Sequence, residues 1–439
     1  MAGVRDKDLW KAGPWPAGML NAVDEDAMPR SEDGPMLGLR EADNVDIRND
    51  GTPRRRPGSE RFYEATLAHS YWSDSRCPFG LFVDDGALMV AFGPGDVEPL
   101  GVTVGNLPLS YEWINDRVFY TNATACGTVD MALQRSDWGP ECPAGQPSLS
   151  LAPGLSLPAG RYQVAVTFID ALGRESGTPK AAVIDVPEGN GIALGSIPQP
   201  AGTAIIALYL SDANDQVLRM HSTLLQGTST LLVGTPAVGR KLETQFLVPM
   251  PAGQIVGLFN GRQFVADGRY LRWSPPLRYG LTDPLRNVIR FGGDIELFAP
   301  TAEGKASGVY VAAAKRTHFL EGMDPAAWGQ NIRKASGALP ASFRRIPGPA
   351  LGFETAEDVP VWIARDGQVC VGGMGGVIVN PNQGRHVVDD ASRAAVLFRE
   401  GDGLQQYIAA LRNPRPQGLA IRDRAIAHVI YDARDAAPD

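Results

Sequence analysis

The sequence predicts an all-β protein, on three observations. The 439 residues include 50 Gly and 35 Pro. Proline is barred from long helices and central strands and glycine marks turns, so many short strands joined by tight turns fit these counts. Apolar runs also recur on either side of Asp-Gly, Asn-Asp and Asn-Gly dipeptides, the strongest short-range hairpin cue. Finally, one central segment alternates polar and apolar residues with the period of two of a half-buried strand.

Residues 1–40 hold Pro14, Pro16, Pro29 and Pro35 and show no sustained periodicity, so they read as an extended N-terminal arm. Trp10, Trp15 and Met19 are its candidate anchors on a neighbouring subunit; a loose terminus is the alternative. Residues 41–150 open the main domain. Phe79–Val83 meets Asp85-Gly86 and then Ala87–Phe92, and Tyr111–Ile114 turns at Asn115-Asp116 into Arg117–Tyr120. Residues 251–439 repeat this punctuation. Ile255–Phe259, Gln263–Val265 and Tyr270–Trp273 are separated by Asn260-Gly261 and Asp267-Gly268, which reads as a tight meander. Val361–Ala364 then turns at Asp366-Gly367 into Gln368–Val371. These segments group into units of about 40–50 residues, the size of a four-stranded propeller blade. A propeller-like domain is therefore expected, with a pair of β-sandwiches as the rival. Asp390–Phe398 and Leu404–Leu411 are the best helical candidates.

Residues 151–250 differ. Tyr162–Phe168 alternates cleanly, a Gly-Arg-Glu-Ser turn follows at Gly173–Ser176, and Ala204–Leu210 supplies a further strand. This pattern resembles a fibronectin type III or related immunoglobulin-like sandwich inserted into the larger domain. The Pro-rich stretches 147–158 and 236–251 read as its linkers.

Composition narrows the function. With 44% hydrophobic and 21% charged residues the chain can bury real cores. A net charge of −8 argues against broad non-specific binding to nucleic acid or anionic membrane. No apolar run approaches the roughly 20 residues of a membrane span, and no signal-peptide pattern opens the sequence. Cys77, Cys126, Cys142 and Cys370 lack metal-binding spacing and read as reduced thiols.

No catalytic, cofactor or metal site is expected. The five histidines, His69, His221, His318, His386 and His428, are isolated in sequence. Gly372–Gly376 lacks the Lys-Ser/Thr and helix of a phosphate loop and reads as a tight turn. The carboxylate pairs Asp84/Asp85, Asp294/Glu296 and Asp389/Asp390 are the candidates for a glycosidase, a minor reading, because paired acids perform that chemistry. Exposed Tyr71, Trp72 and Trp138 would serve a carbohydrate- or receptor-binding alternative by stacking on sugars. Arg54-Arg55-Arg56 is a local basic concentration, read first as an ion-pair or inter-subunit cluster.

Asn44–Gly58, which ends in Arg-Arg-Arg-Pro-Gly, resembles an opening element of tail hub, nozzle and packaged-DNA-stabilisation proteins of tailed bacteriophages. Phe259–Pro276, with Asn-Gly-Arg leading to Trp-Ser-Pro-Pro, and Gly308–Gly322 resemble further elements of that family in the same order. The resemblance implies a non-catalytic propeller subunit without cofactor. It implies assembly into a homo-oligomeric ring, a hexamer, contacting portal or adaptor and other tail proteins. Double-stranded DNA would pass through transiently without specific binding. The chain would be made in the host bacterial cytoplasm, reside in the virion and use no membrane. Trp10, Trp15, Arg54, Arg55, Arg56 and Trp328 are the candidate inter-subunit or channel contacts.

Overall fold

The computed structural model describes residues 14–32, 36–40, 45–47, 51–55, 61–202, 204–353, 357–401 and 404–413. The chain is all-β: among the described residues the only helical segments are four short 3-10 turns. No helix among them is long and apolar enough to cross a membrane. Two compact units form, Ala65–Phe291 and a second made of residues up to 64 together with those from 292 onward.

Besides a sandwich, the Ala65–Phe291 unit contains three four-stranded antiparallel meander sheets. The first runs Ala68–Trp72, Gly80–Asp84, Ala87–Gly93, Asp96–Thr103. The second runs Ser110–Ile114, Arg117–Thr121, Cys126–Asp130, Arg135–Ser136. The third runs Ile255–Phe259, Arg262–Asp267, Tyr270–Trp273, Val288–Arg290. Their tight hairpins follow from local chemistry. Asp85 and Gly86 (φ 45° and 78°), Asn115 and Asn260 (both 47°), Asp116 (57°) and Gly261 (61°) all take the positive φ of a type I′ turn. The sheets stack face to face. Leu81, Val83, Leu88 and Val90 of the first meet Val118, Tyr120 and Val129 of the second. Ile114 and Phe119, on the other face of that second sheet, meet Val256 and Val265 of the third. A middle sheet covered on both faces has no polar side to show, which is why Val118-Phe119-Tyr120 reads as a continuous run.

Between the second and third sheets, seven strands form a sandwich: Ser148–Pro153, Gly160–Asp170, Ala182–Val186, Asn190–Gly195, Ala204–Ser211, Leu218–Leu224 and Leu231–Val233. The first, fourth and seventh make one sheet, and the other is ordered third, second, fifth, sixth. Tyr162, Val164, Val166 and Phe168 share one core with Ile192, Leu194, Ile206, Leu208 and Val233. Pairing of the first strand with the fourth departs from the immunoglobulin order, in which the first two strands share a sheet with the fifth. The expected linkers are structured too. Ser148–Pro153 is a sandwich edge strand, a place that tolerates its terminal Pro153. Leu242 and Ala237 are buried, and residues 239–242 hydrogen-bond along Leu218–Met220.

The other unit holds two more such sheets. Ile295–Pro300, Gly308–Ala313, Arg316–Glu321 and Asn331–Lys334 form one; Arg344–Pro347, Asp358–Ile363, Val369–Gly372 and Ile378–Val379 form the next. Leu297, Tyr310 and Phe319 pack against Trp362 and Cys370 between them.

The two expected helices are strands: Arg393–Gly401 and Leu404–Arg412 form one antiparallel hairpin. Ala394 and Val396 with Tyr407, Ala409 and Leu411 pack on Leu339 and Ile363, so a period of two is what tertiary burial selects. The expected arm is also tied down over its described part. Gly18–Met19 pairs in parallel with Gly38–Leu39, the Asn21 side chain exchanges hydrogen bonds with the Val387 backbone, and Leu20 and Met28 are buried.

Candidate functional site

The predicted contact residues fall in separate places. Pro53–Arg55 pairs with Val45–Ile47, which sets Arg54 directly across from the buried Asp46 and leaves both Arg54 and Arg55 exposed. Trp15 is half-buried beside this hairpin, its backbone N–H donating to Gly51 O at 2.8 Å. Trp328 follows the 3-10 turn Pro325–Ala327, and its indole N–H donates to Gly322 O at 2.7 Å. Trp10 and Arg56 lie outside the described residues.

Tertiary structure brings together one member from each of two carboxylate pairs read from sequence, Glu296 and Asp390. Arg365 donates from Nε and Nη2 to Glu296 Oε1 at 3.0 and 2.9 Å, and from Nη1 to Asp390 Oδ1 at 2.9 Å. Beside it Lys334 pairs with Asp366 at 2.7 Å. Burial works against the Arg365 charge, but the two carboxylates outweigh it and raise the guanidinium above its ordinary range. A glycosidase pair needs one protonated acid and one carboxylate open to substrate. Here both carboxylates are engaged by one guanidinium, which clamps the Ile295–Pro300 strand, the turn after Asp358–Ile363 and the loop at 390 to one another. Asp84 is committed as well: its Oδ1 accepts the backbone N–H of Thr66 at 3.0 Å and of Leu67 at 2.7 Å. Asp85 occupies its type I′ turn.

The aromatic trio proposed for sugar stacking is dispersed. Trp138 is buried, with its indole N–H donating to Gly127 O at 2.8 Å. Trp72 stacks on Trp113 and Tyr111, with ring centroids 6.4 and 6.0 Å apart, at the seam between the first two sheets. Arg76, held by Asp74, covers Trp113 at 5.6 Å. Tyr71 is the exposed member, at 62%, and lies against Gly80, whose missing Cβ leaves room for the ring.

The motif that carried the family resemblance closes a sheet. Gln263 N donates to Ser274 Oγ (3.0 Å), Ser274 N to Gln263 O (2.9 Å), Gly280 N to Gln263 Oε1 (2.7 Å) and Thr282 Oγ1 to Trp273 O (2.9 Å). Gln263, Trp273, Ser274 and Thr282 are all buried; Gln263 and Trp273 lie in strands of the third sheet, while Thr282 pairs with Val248 in a separate two-stranded sheet. Gly372–Gly376 wraps the Tyr310 hydroxyl, which lies 2.7 Å from the carbonyls of both Gly373 and Val377.

Histidines and thiols sit in structural surroundings. Burial pulls His221, His318 and His386 below the usual imidazole range. Burial likewise pushes the Cys126 thiol up to about 11 and that of Cys370 up to about 12, away from reactive thiolates. Among the described residues no group of three His, Cys, Asp or Glu is placed to hold a metal ion.

Sequence reasoning passed over a basic surface on the third sheet of the Ala65–Phe291 unit. Residues 255–291 carry six arginines and two aspartates, a net +4 on a chain of −8. The available signal was this arginine density, with lysine absent from the same stretch.

No family model matches the chain, and no curated protein matches it. Among solved structures, BBS1N, crystallised in complex with ARL6DN, aligns at 11% identity over 79% of this chain and 89% of that one, with a TM-score of 0.32. A likeness at that level carries no argument about this chain.

Proposed function

We propose that the chain is a structural virion protein of a tailed bacteriophage, a hub or nozzle subunit that assembles with copies of itself into a ring at the head–tail connection or tail core. Five four-stranded meander sheets support this reading as the blades of a propeller-like domain, with the seven-stranded sandwich inserted between the second and third. One observation carries it. The Asn-Gly-Arg to Trp-Ser-Pro-Pro element, on which the family resemblance rests, is built into such a sheet through the paired Gln263 and Ser274 hydrogen bonds. The ring is a hexamer joined to portal or adaptor and other tail proteins, and DNA passes through it without sequence-specific binding.

Of the enzymatic alternative's carboxylates, Glu296 and Asp390 are held by Arg365 and Asp84 by backbone N–H groups, and the sugar-binding alternative has Trp138 buried away from Tyr71. Immunogold labelling of intact particles with antibody against the recombinant chain tests the proposal. Label at the neck or along the tail axis is expected. Label confined to peripheral fibres, or absent from particles, would overturn it.

A further inference from the structure

The arginines of the third sheet converge at its outer edge. In the antiparallel register Tyr270 stands directly across from Arg290, and Arg272 across from Val288. Tyr270 and Arg272, two residues apart on one strand, project to the same face, and the Arg272 guanidinium lies over the Tyr270 ring at 5.5 Å. Arg269 occupies the turn leading into that strand and is tied to the other strand's end by the Phe291 N–H donating to Arg269 O at 2.9 Å. Arg286 sits in the turn entering Val288–Arg290, whose backbone is fixed by Asp283 accepting from the N–H of Leu285 and Arg286. Arg269, Arg286 and Arg290 are exposed, and Tyr270 is 37% exposed. Acidic groups also stand at this edge: Asp267, 3.7 Å from Arg272, and Asp283 in the turn that carries Arg286.

We infer that this edge, Arg269, Tyr270, Arg272, Arg286 and Arg290, is a contact surface for the phosphodiester backbone of nucleic acid. Three features favour that occupant. Guanidinium is weakly hydrated and matches phosphate oxygens in bidentate geometry, and every cation in the stretch is arginine. An exposed ring among guanidinium groups offers a stacking plane for an unpaired base. The remainder of the chain is net −12, from −8 overall less +4 here, so a polyanion is steered to this edge and repelled elsewhere. The contact is backbone-directed and sequence-independent, because no groove-reading element accompanies it. It does not depend on assembly: particle labelling and oligonucleotide binding can each succeed or fail without the other.

Fluorescence anisotropy of the full chain with a labelled mixed-sequence duplex of about 30 base pairs, and with the corresponding single strand, tests this. If about three phosphates are engaged, raising salt from about 50 to about 200 mM weakens duplex binding about 40-fold and single-strand binding about 20-fold. Arg269→Glu/Arg286→Glu/Arg290→Glu, all exposed positions, is expected to weaken both at least 10-fold with an unchanged thermal midpoint. Tyr270→Ala is expected to weaken the single strand more than the duplex if unpaired bases stack there; equal losses would assign the surface to the duplex backbone. Arg54→Glu/Arg55→Glu is expected to bind as wild type. No binding of either probe at low salt, equal binding by wild type and the triple variant, or a loss confined to the Arg54/Arg55 variant would overturn the assignment. So would a triple variant that changes only the oligomeric state by light scattering, since the surface would then meet a second copy of the chain.

Discussion

Glu175 is a carboxylate buried in the sandwich sheet, and replacing Tyr209 by Phe probes what keeps it there. Its Oε1 accepts the Tyr209 hydroxyl at 2.6 Å and the Thr167 hydroxyl at 2.7 Å, while Oε2 meets Arg240 Nη2 at 2.9 Å. The carboxylate side chain is only 3% exposed, so little water replaces a lost donor. Removing one hydrogen bond to a buried charge costs about 1.5–3 kcal/mol. For a cooperative unit the size of Ala65–Phe291 that is a fall of roughly 3–12 °C in Tm at pH 7.5. The pH dependence gives an independent check. Burial first, then the Glu175 hydrogen bond and charge, raise the Tyr209 phenol well above its ordinary value. A raised pKa means the contribution is fully present below the unfolded value, about 10 for tyrosine, and is lost as pH climbs toward the folded value. The gap in Tm between wild type and Tyr209→Phe should therefore narrow from pH 10 upward. Calorimetry of both proteins between pH 7.5 and 11 reads it. A gap under about 1 °C at pH 7.5, or one that stays constant through pH 11, refutes the reasoning.

Two further changes separate local from tertiary causes of stability. Arg365→Ala strands Glu296 and Asp390, and because all three side chains keep some solvent the expected loss is about 1–2 kcal/mol, less than for a fully buried pair. Arg365→Lys should recover less than half of it, since one ammonium cannot reproduce the guanidinium fork; urea unfolding midpoints decide. Gly261→Ala places a side chain at φ 61° and should cost about 1–2 kcal/mol. Gly145→Ala, in open space with ordinary φ, should change stability by under about 0.5 kcal/mol, and equal effects of the two would show that backbone conformation is not the cause.

Much of the architecture was legible in particular residues. Asp85-Gly86, Asn115-Asp116 and Asn260-Gly261 announce hairpins because these residues tolerate positive φ, a constraint acting within four residues. Tyr162–Phe168 announces a strand through its alternation, but not that Ala165 and Thr167 on its other face are buried too. The hairpin Arg393–Arg412 was misread although an Asp-Gly dipeptide separates its strands in sequence, because each short apolar run alone suits helix or strand. The linkers at 147–158 and 236–251 were misread because proline signals a strand end as well as a loop.

The candidate sites were less legible, and the reason is geometric. Glu296 and Asp390 were each singled out, yet nothing in the sequence indicated that Arg365 would bind both, or that Trp138 would be buried while Tyr71 stayed exposed. Nor did the spacing of Arg269, Arg272, Arg286 and Arg290 reveal one edge, which exists because residues 288–290 return antiparallel to residues 270–272. By itself the sequence determined the all-β class and the turns at Asp85-Gly86, Asn115-Asp116 and Asn260-Gly261, since backbone φ preferences are local properties of the chain. Only the tertiary structure decided which carboxylates are neutralised, which aromatics are buried and which arginines meet, because charge pairing and burial depend on long-range strand pairing that no local pattern encodes.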